Sequence, residues 1–173
     1  MIEIKERPAA LASSGRRPPA RENAMKFEIP KPMKIEHDEL HADLVVATKA
    51  GGRTGEAAKA VARVLHNHFL KEEEYALPPL GLLAPLSEGK FETAMADVLK
   101  LTDKLEAEMP TMLAEHGQIV AALDELVAAA TAEGRPEVVH FAEKLKLHAQ
   151  TEEQVAYPAA ILVGRYVKTW LAG

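Results

Sequence analysis

The chain has 173 residues, of which 47% are hydrophobic, and this is enough for one folded domain with its own core. A formal net charge of −5 argues against nonspecific binding to nucleic acid, which requires a basic face. The absence of cysteine excludes disulfides, iron–sulfur clusters, thiolate zinc sites and cysteine nucleophiles, and it fits a reducing, cytoplasmic compartment. No apolar run approaches the roughly 20 residues that span a bilayer, so no membrane partner is expected.

Prolines set the beginning of the chain apart from the rest. Proline cannot occupy a helix interior without breaking a hydrogen bond and crowding the preceding turn. The sequence therefore predicts an N-terminal arm over residues 1–34, either extended along the domain or disordered, and one domain over residues 35–173. The prolines that interrupt the arm are Pro8, Pro18, Pro19, Pro30 and Pro32.

The first half of the domain shows hydrophobic positions at helical spacing. The pattern begins near Lys34, and the sequence AGG at residues 50–52 ends it. A second helix is predicted from about residue 54 to residue 77, where Pro78 and Pro79 stop it. Residues 80–89 are interpreted as a loop or a single turn.

The second half repeats this organisation. A helical stretch over residues 91–109 meets Pro110, which should start or kink a helix, and a third core helix follows to about residue 132. A fourth helix begins near Pro136 and continues toward Trp170, with a kink or break at Pro158. Since no strand pattern is present, the sequence predicts an all-α protein, an antiparallel up-down-up-down four-helix bundle with short connections.

One phrase occurs twice in the chain, 80 residues apart. HFLKEEEYALPPL begins at His68 and HAQTEEQVAYPAA begins at His148. Each has a glutamate four residues after the histidine, a second glutamate beside it, and a proline ten residues after the histidine. Side chains at i and i+4 share one face of a helix. His68 should therefore point with Glu72, and His148 with Glu152.

Two further histidines follow the same repeat. His37 precedes His68 by 31 residues, and His116 precedes His148 by 32. All four histidines lie on the apolar stripes of their predicted helices, which are the faces that turn inward. The pattern therefore predicts that four histidines and two glutamates converge in the core of the bundle.

Such a cluster requires a cation. An unpaired buried carboxylate costs roughly several kcal/mol, and no lysine or arginine shares these stripes nearby. Imidazole nitrogens and carboxylate oxygens suit iron, manganese or zinc. Six ligands exceed the need of one tetrahedral zinc ion, whereas four histidines and two shared carboxylates suit two ions about 3.5–4 Å apart. Open positions on such a pair would admit a small molecule, with dioxygen favoured.

The motifs EHDEL, HFLKEEEYALPP, EHGQI and HAQTEEQVAYPA, in this order and spacing, resemble the haemerythrin-like (HHE cation-binding) family over about residues 35–163. The resemblance implies a bundle that holds two iron ions at a non-haem site with an oxo- or hydroxo-bridge. Manganese or zinc are alternatives. It further implies that Glu72 and Glu152 bridge the metals. The metal ligands carried over are His37, His68, Glu72, His116, His148 and Glu152.

The sequence departs from the oxygen-carrying haemerythrins at one position. They have a second histidine one turn before the third-helix ligand, and Met112 stands there in this chain. His41, one turn after His37, is a candidate additional ligand or outer hydrogen-bond partner, with a satisfied core histidine as the alternative. Glu73 and Glu153, at i+5, could replace the i+4 glutamates. Glu153 is the stronger of these two alternatives, although a solvated flank is the expected role of both.

Other residues are predicted to surround the site. Tyr75 and Tyr157 follow the glutamate pairs and are interpreted as core or rim residues rather than redox groups. Four leucines should help to line a dry apolar pocket, namely Leu40, Leu65, Leu113 and Leu145.

Three functions fit this site. The first is a protein that binds or senses dioxygen, or senses iron itself. The second is a di-iron enzyme that acts on peroxide, nitric oxide or dioxygen in stress defence, and the missing fifth histidine favours it because a more open site cycles more easily. The third is iron storage or a structural metal site. The expected partner is dioxygen, another small diatomic molecule or peroxide, and the sequence does not identify a protein partner.

Overall fold

Helices form the regular structure of residues 26–173, which the computed structural model describes, and no strand occurs among them. The prediction of an all-helical protein is confirmed for this part of the chain. No helix within it has the length and apolarity that a membrane span requires. The helices are α1 (Lys31–Thr48), α2 (Gly52–Lys71), α3 (Leu83–Ser87), α4 (Val98–Ala132), α5 (Pro136–Thr151) and α6 (Tyr157–Ala172).

Helix α1 begins at Lys31, slightly earlier than the sequence pattern predicted. Pro30 precedes the helix and Pro32 lies in its first turn. Proline is tolerated there because the N–H groups of the first turn make no hydrogen bond within the helix. Residues 1–25 of the predicted arm lie outside the described residues. Residues 26–30 are not helical and pass over the 3₁₀ turn Pro78–Leu82, where a Cβ on Gly81 would overlap the carbonyl oxygen of Glu28. Glycine at position 81 therefore lets this segment lie against the domain.

Helix α4 is one helix of 35 residues and contains Pro110 in its interior. The prediction of a separate helical stretch over residues 91–109 is therefore wrong, since Thr93–Asp97 form a 3₁₀ turn and α4 begins directly after it. Pro110 is exposed, while Leu105 and Met112 on either side of it are fully buried. The burial of these flanking turns stabilises the helix more than the hydrogen bond lost at Pro110 destabilises it. Local helix preference does not include this tertiary packing.

Both repeated phrases contain a π turn. The turns span Glu72–Ala76 and Glu152–Ala156, and the backbone N–H groups of Leu77 and Tyr157 donate to the carbonyl oxygens of Glu72 and Glu152, five residues earlier. The chain continues through the second turn directly into α6, with Pro158 in the first turn of that helix. The predicted kink or break at Pro158 thus takes the form of a wider helical turn.

The helices enclose apolar clusters that leave one polar layer between them. One cluster lies around Leu44, Leu65, Leu123 and Phe141, and it joins α1, α2, α4 and α5. A second cluster includes Tyr75 and Tyr157, which follow Glu72 and Glu152, and Met112, which lies one turn before His116. Along each helix the predicted site residues stand where one cluster gives way to the other, so apolar packing holds them from both sides.

Helices α4 and α6 approach closely at Gly164. A Cβ on this residue would overlap Thr102 Oγ1 and would lie 2.6 Å from the buried Thr102 Cβ. Gly164→Ala is therefore expected to lower the free energy of unfolding by about 1–3 kcal/mol, measured by urea denaturation. Gly117→Ala on α4 is the matched control, because a Cβ there meets nothing within 4 Å and helix propensity predicts a gain of up to about 1 kcal/mol. Equal effects of the two substitutions would contradict the close approach.

Candidate metal centre

Buried polar side chains are concentrated in one place. Eight polar or charged residues are buried within residues 26–173, and two of them, Thr54 and Thr102, are uncharged threonines. No lysine or arginine belongs to this buried set of the described chain. The remaining six are the predicted ligands, each at most 3% exposed: His37, His68, Glu72, His116, His148 and Glu152.

The six residues form two groups that share both carboxylates. His37 and His148 form the first group with Glu72 and Glu152, and His68 and His116 form the second group with the same two glutamates. Within each group the donor atoms all lie within 4.8 Å of one another. The structure therefore brings together every one of the six predicted residues, from α1, α2, α4 and α5 and the two π turns.

Each carboxylate divides its oxygens between the groups. Glu72 Oε2 lies 3.7 Å from His37 Nε2, whereas its Oε1 lies 3.1 Å from His68 Nε2. Glu152 Oε1 lies 3.3 Å from His37 Nε2 and 3.1 Å from His148 Nε2, and its Oε2 lies 3.5 Å from His116 Nε2. This is the arrangement that two bridging carboxylates require.

Unsatisfied polar atoms point into the first group. Glu72 Oε2 and His148 Nε2 are buried and have no hydrogen-bond partner among the described residues. His148 Nε2 is close to Glu152 Oε1, but the two atoms lack the alignment of a hydrogen bond. A buried polar group without a partner costs about 1–3 kcal/mol, and a cation between these donors removes that cost. The residues present therefore fit a metal ion.

Charge within the cluster alters the protonation of its members. Burial alone would lower the pKa values of His68, His116 and His148, but the nearby carboxylates of Glu72 and Glu152 raise all three, and that of His116 reaches about 10. Burial likewise opposes ionisation of Glu152, yet the imidazole rings of His116, His148 and His37 around it hold its pKa well below the ordinary value. Without a metal, histidinium ions would therefore balance the buried carboxylates.

This balance predicts how the stability of the metal-free protein depends on pH. Raised histidine pKa values contribute stability that is complete below the ordinary value of 6.5 and is lost as pH rises toward the folded values. The lowered pKa of Glu152 contributes stability that is present above 4.5 and is lost as pH falls. The chelator-treated protein should thus be most stable between about pH 4.5 and 6.5.

Urea denaturation in the presence of chelator tests this expectation. The free energy of unfolding should fall by about 2 kcal/mol or more between pH 5.5 and pH 8.5. His116→Gln should give a shallower dependence, because it removes the histidine whose pKa is raised to about 10. A stability that stays constant or rises over this interval would contradict the proposed charge balance.

Each histidine turns its second ring nitrogen toward an outer carboxylate. His68 Nδ1 lies 2.9 Å from Glu115 and His116 Nδ1 lies 2.9 Å from Glu153. The corresponding distances are longer for the other two pairs, 3.6 Å from His37 to Glu73 and 3.5 Å from His148 to Glu36. Outer partners of this kind fix the orientation of metal-binding histidines.

The four outer carboxylates include the two glutamates considered as alternative ligands and two that were not predicted. Glu153 and Glu73 lie outside both donor groups, and each is about one-third exposed and faces a histidine Nδ1. Glu36 and Glu115 were missed by the sequence reasoning, although each directly precedes a site histidine in the repeated dipeptide Glu-His. Salt bridges with two lysines neutralise two of the four carboxylates: Lys34 with Glu73, and Lys71 with Glu115.

His41, Met112 and the tyrosines occupy different environments. His41 is exposed and lies outside both donor groups. Met112 is fully buried, and its sulfur accepts a hydrogen bond of 3.3 Å from the hydroxyl of Tyr75. Tyr157 is fully buried, and its hydroxyl donates a hydrogen bond to Glu72 Oε1 inside the site. Burial, followed by the charges of Glu72 and Glu152, raises the pKa of Tyr157 far above its ordinary range.

A cavity of about 670 Å³ between α1 and α2 reaches the first donor group. Its walls include His37 and Phe69, whose rings stack with centroids 4.2 Å apart, together with Leu44 and Leu65. Of the leucines predicted around the site, Leu40, Leu65 and Leu145 are buried, but Leu113 is 43% exposed. The expectation for Leu113 is wrong because Met112 and His116 take the inward positions of that part of α4.

Comparison with known protein families identifies a cation-binding domain in the part of the chain that holds most of the clustered residues. The model of the hemerythrin HHE cation binding domain matches residues 54–160, more than half of the chain. This range contains five of the six clustered residues, and His37 on α1 precedes it. No curated protein and no solved structure matches the chain. The chain belongs to the hemerythrin HHE cation-binding domain family.

Proposed function

We propose that this protein is a non-haem di-iron protein that binds or senses dioxygen at the site formed by the four histidines and two glutamates. The observation that carries the proposal is that Glu72 and Glu152 each present one oxygen to each donor group. One metal ion would leave two of the four histidines unused. Two ions use all six, and histidine with carboxylate is a donor set that iron accepts.

Different residues of the chain would bind the ions, exclude water and orient the histidine rings at such a site. His37 and His148 would hold one ion, His68 and His116 the other, and the two glutamates would bind both. The bound irons supply two-electron chemistry toward dioxygen. The apolar clusters on both sides keep bulk water out, which strengthens every charge interaction within the site. The outer carboxylates orient the imidazole rings.

We further infer that the four long helical segments run up-down-up-down. Helices α1 and α2 are joined by residues 49–51 and pack together, as do α4 and α5, which residues 133–135 connect. Connections this short support antiparallel neighbours. Helices α2 and α4 also pack together, and they bring His68 and His116 to one face of the site.

Turnover of peroxide or nitric oxide is a second candidate, and the cavity between α1 and α2 favours it. The cavity is larger than dioxygen alone needs, and it reaches His37 from a surface that carries His41, Asp38 and Arg63. Polar groups at its mouth suit the entry of a polar substrate such as peroxide.

Metal analysis and oxygen cycling test the proposed function. The protein, reconstituted with ferrous iron under anaerobic conditions, should hold two irons per chain and change its visible spectrum reversibly as air is admitted and removed. His37→Ala should lose iron, whereas His41→Ala, one turn away but outside both groups, should retain two. Irreversible oxidation with rapid consumption of peroxide would favour the enzyme. One tightly bound ion or none would overturn the di-iron proposal.

A further inference from the structure

Tyr157 places an oxygen atom inside the second donor group. Its hydroxyl lies 3.4 Å from His68 Nε2 and 3.3 Å from His116 Nε2, and it also hydrogen-bonds Glu72 Oε1. The residue is 0% exposed, and its ring stacks on the imidazole of His116 with centroids 5.7 Å apart. The hydroxyl of Tyr75, the other buried tyrosine of the described chain, hydrogen-bonds the sulfur of Met112 instead.

The π turn explains why Tyr157 reaches the site. In an α-helix, a residue five positions after Glu152 would lie about 140° around the axis and point away from it. The hydrogen bond from the Tyr157 N–H to the Glu152 carbonyl oxygen encloses one additional residue, so Tyr157 follows Glu152 by a single, wider turn. Both side chains therefore face the same donor group.

The distances around the hydroxyl match those between ligands of one ion. Bonds from a small transition-metal ion to nitrogen or oxygen are about 2 Å long, so neighbouring donor atoms on that ion lie about 3 Å apart. The hydroxyl oxygen of Tyr157 stands at this separation from the two histidine nitrogens. The hydroxyl hydrogen-bonds both histidines of the second group and the shared Glu72, but neither His37 nor His148 of the first group.

Met112 leaves this same group short of a ligand. The position one turn before His116 carries a thioether, and its sulfur is engaged by Tyr75 rather than by the site. Without Tyr157, each donor group has two histidines and two shared glutamates. With Tyr157, the second group has five donors and the first has four, so the two metal positions become unequal.

We propose that Tyr157 is the fifth ligand of the ion held by His68 and His116, and that the ion held by His37 and His148 keeps the open position. The inference rests on the proposed function. As the metal–oxygen bond forms, the hydroxyl proton leaves for the solvent, in the way that metal binding releases protons from other ligands. The open position then lies on the side that the cavity between α1 and α2 reaches, where Phe69 covers His37.

Spectroscopy of the air-oxidised, iron-loaded protein tests the proposal directly. A ferric ion bound to tyrosinate gives a charge-transfer band in the visible range and resonance-enhanced vibrations of the phenolate ring. Ring-deuterated tyrosine in the unmodified protein should shift these vibrations. Tyr157→Phe should abolish them. Tyr75→Phe, the matched control with a buried tyrosine next to the site but outside both groups, should leave them unchanged.

Metal binding supplies a second measurement that needs no iron chemistry. Titration with cobalt(II) should show two ions bound by the unmodified protein, with one of the two affinities reduced about 10–100-fold in Tyr157→Phe. Met112→His combined with Tyr157→Phe should recover this affinity without a tyrosinate signal. Two irons per chain without tyrosinate vibrations would overturn the role of Tyr157 and leave the proposed function intact. Fewer than two irons in the unmodified protein would overturn both.

Discussion

Replacing Glu152 with glutamine is expected to weaken the binding of both metal ions, each by at least about 100-fold, which exceeds the usual effect of losing an outer partner. The reason is geometric, since Glu152 Oε1 faces His37 and His148 while its Oε2 faces His116. Glutamine keeps the shape but loses the charge, and its amide nitrogen cannot act as a ligand. Competition with a metal-binding dye would measure the two affinities.

Glu153→Gln is the matched control for this substitution. It makes the same chemical change one residue later, on a carboxylate that is 37% exposed, lies outside both donor groups and pairs with His116 Nδ1. We expect a loss of about 10-fold for one ion and little change for the other. If Glu153→Gln were the more damaging of the two substitutions, the assignment of Glu152 as the shared ligand would be wrong.

Removing the metal is expected to destabilise the folded protein strongly. An ion that binds only the folded state at a free concentration 1,000-fold above its dissociation constant adds about 4 kcal/mol of stability, and two ions add about 8 kcal/mol. For a chain of this size, each kcal/mol corresponds to about 2–4 °C in Tm. Chelation should therefore lower the Tm by roughly 15 °C or more, measured by circular dichroism with saturating metal and with chelator.

A variant without the shared carboxylate separates this effect from nonspecific action of the chelator. Glu152→Gln should show a much smaller difference in Tm between metal and chelator, because a roughly 100-fold weaker affinity reduces the stabilisation from about 4 to about 1.4 kcal/mol per ion at the same free concentration. Glu133→Gln provides a second comparison. Glu133 accepts hydrogen bonds from the first turn of α2, far from the metals in the fold, so its loss should lower the Tm equally in both conditions. A Tm of the unmodified protein that does not respond to chelator would contradict metal-dependent stability.

Hydrophobic periodicity predicted the helical segments that carry the site residues, but it did not predict that α4 continues through Pro110. Pro78 and Pro79 end the helical segment as predicted. Pro110 does not interrupt α4, because its ring is exposed and the turns beside it are anchored by buried Leu105 and Met112. Such anchoring comes from residues distant in the sequence, and local preference contains no information about it.

Four of the six clustered residues could be named from their spacing because an i, i+4 pair remains a pair in any α-helix, and His37 and His116 followed from the repeated offset to the next histidine. The surroundings of the site could not be named in the same way. Glu36 and Glu115 each contact a histidine on a different helix, so their partners depend on how the helices pack. Tyr157 was interpreted as a core or rim residue rather than as part of the site. An α-helical projection turns it away from Glu152, and the π turn that brings it back is not visible in the spacing.

The distribution of the six ligands over the chain also has a consequence for the order of folding. Only the pairs His68–Glu72 and His148–Glu152 are local, whereas His37 and Glu152 meet across 115 residues. Closing so long a loop costs conformational entropy that a single His–Glu pair cannot offset. A chain whose helices have not yet docked therefore offers only weak two-donor sites. The second donor group forms when α2, α4 and α5 pack together, whereas loading of the first group must follow the docking of α1 against the last repeat. The rate of metal uptake by a refolding chain would then report the slowest, most non-local step of its folding.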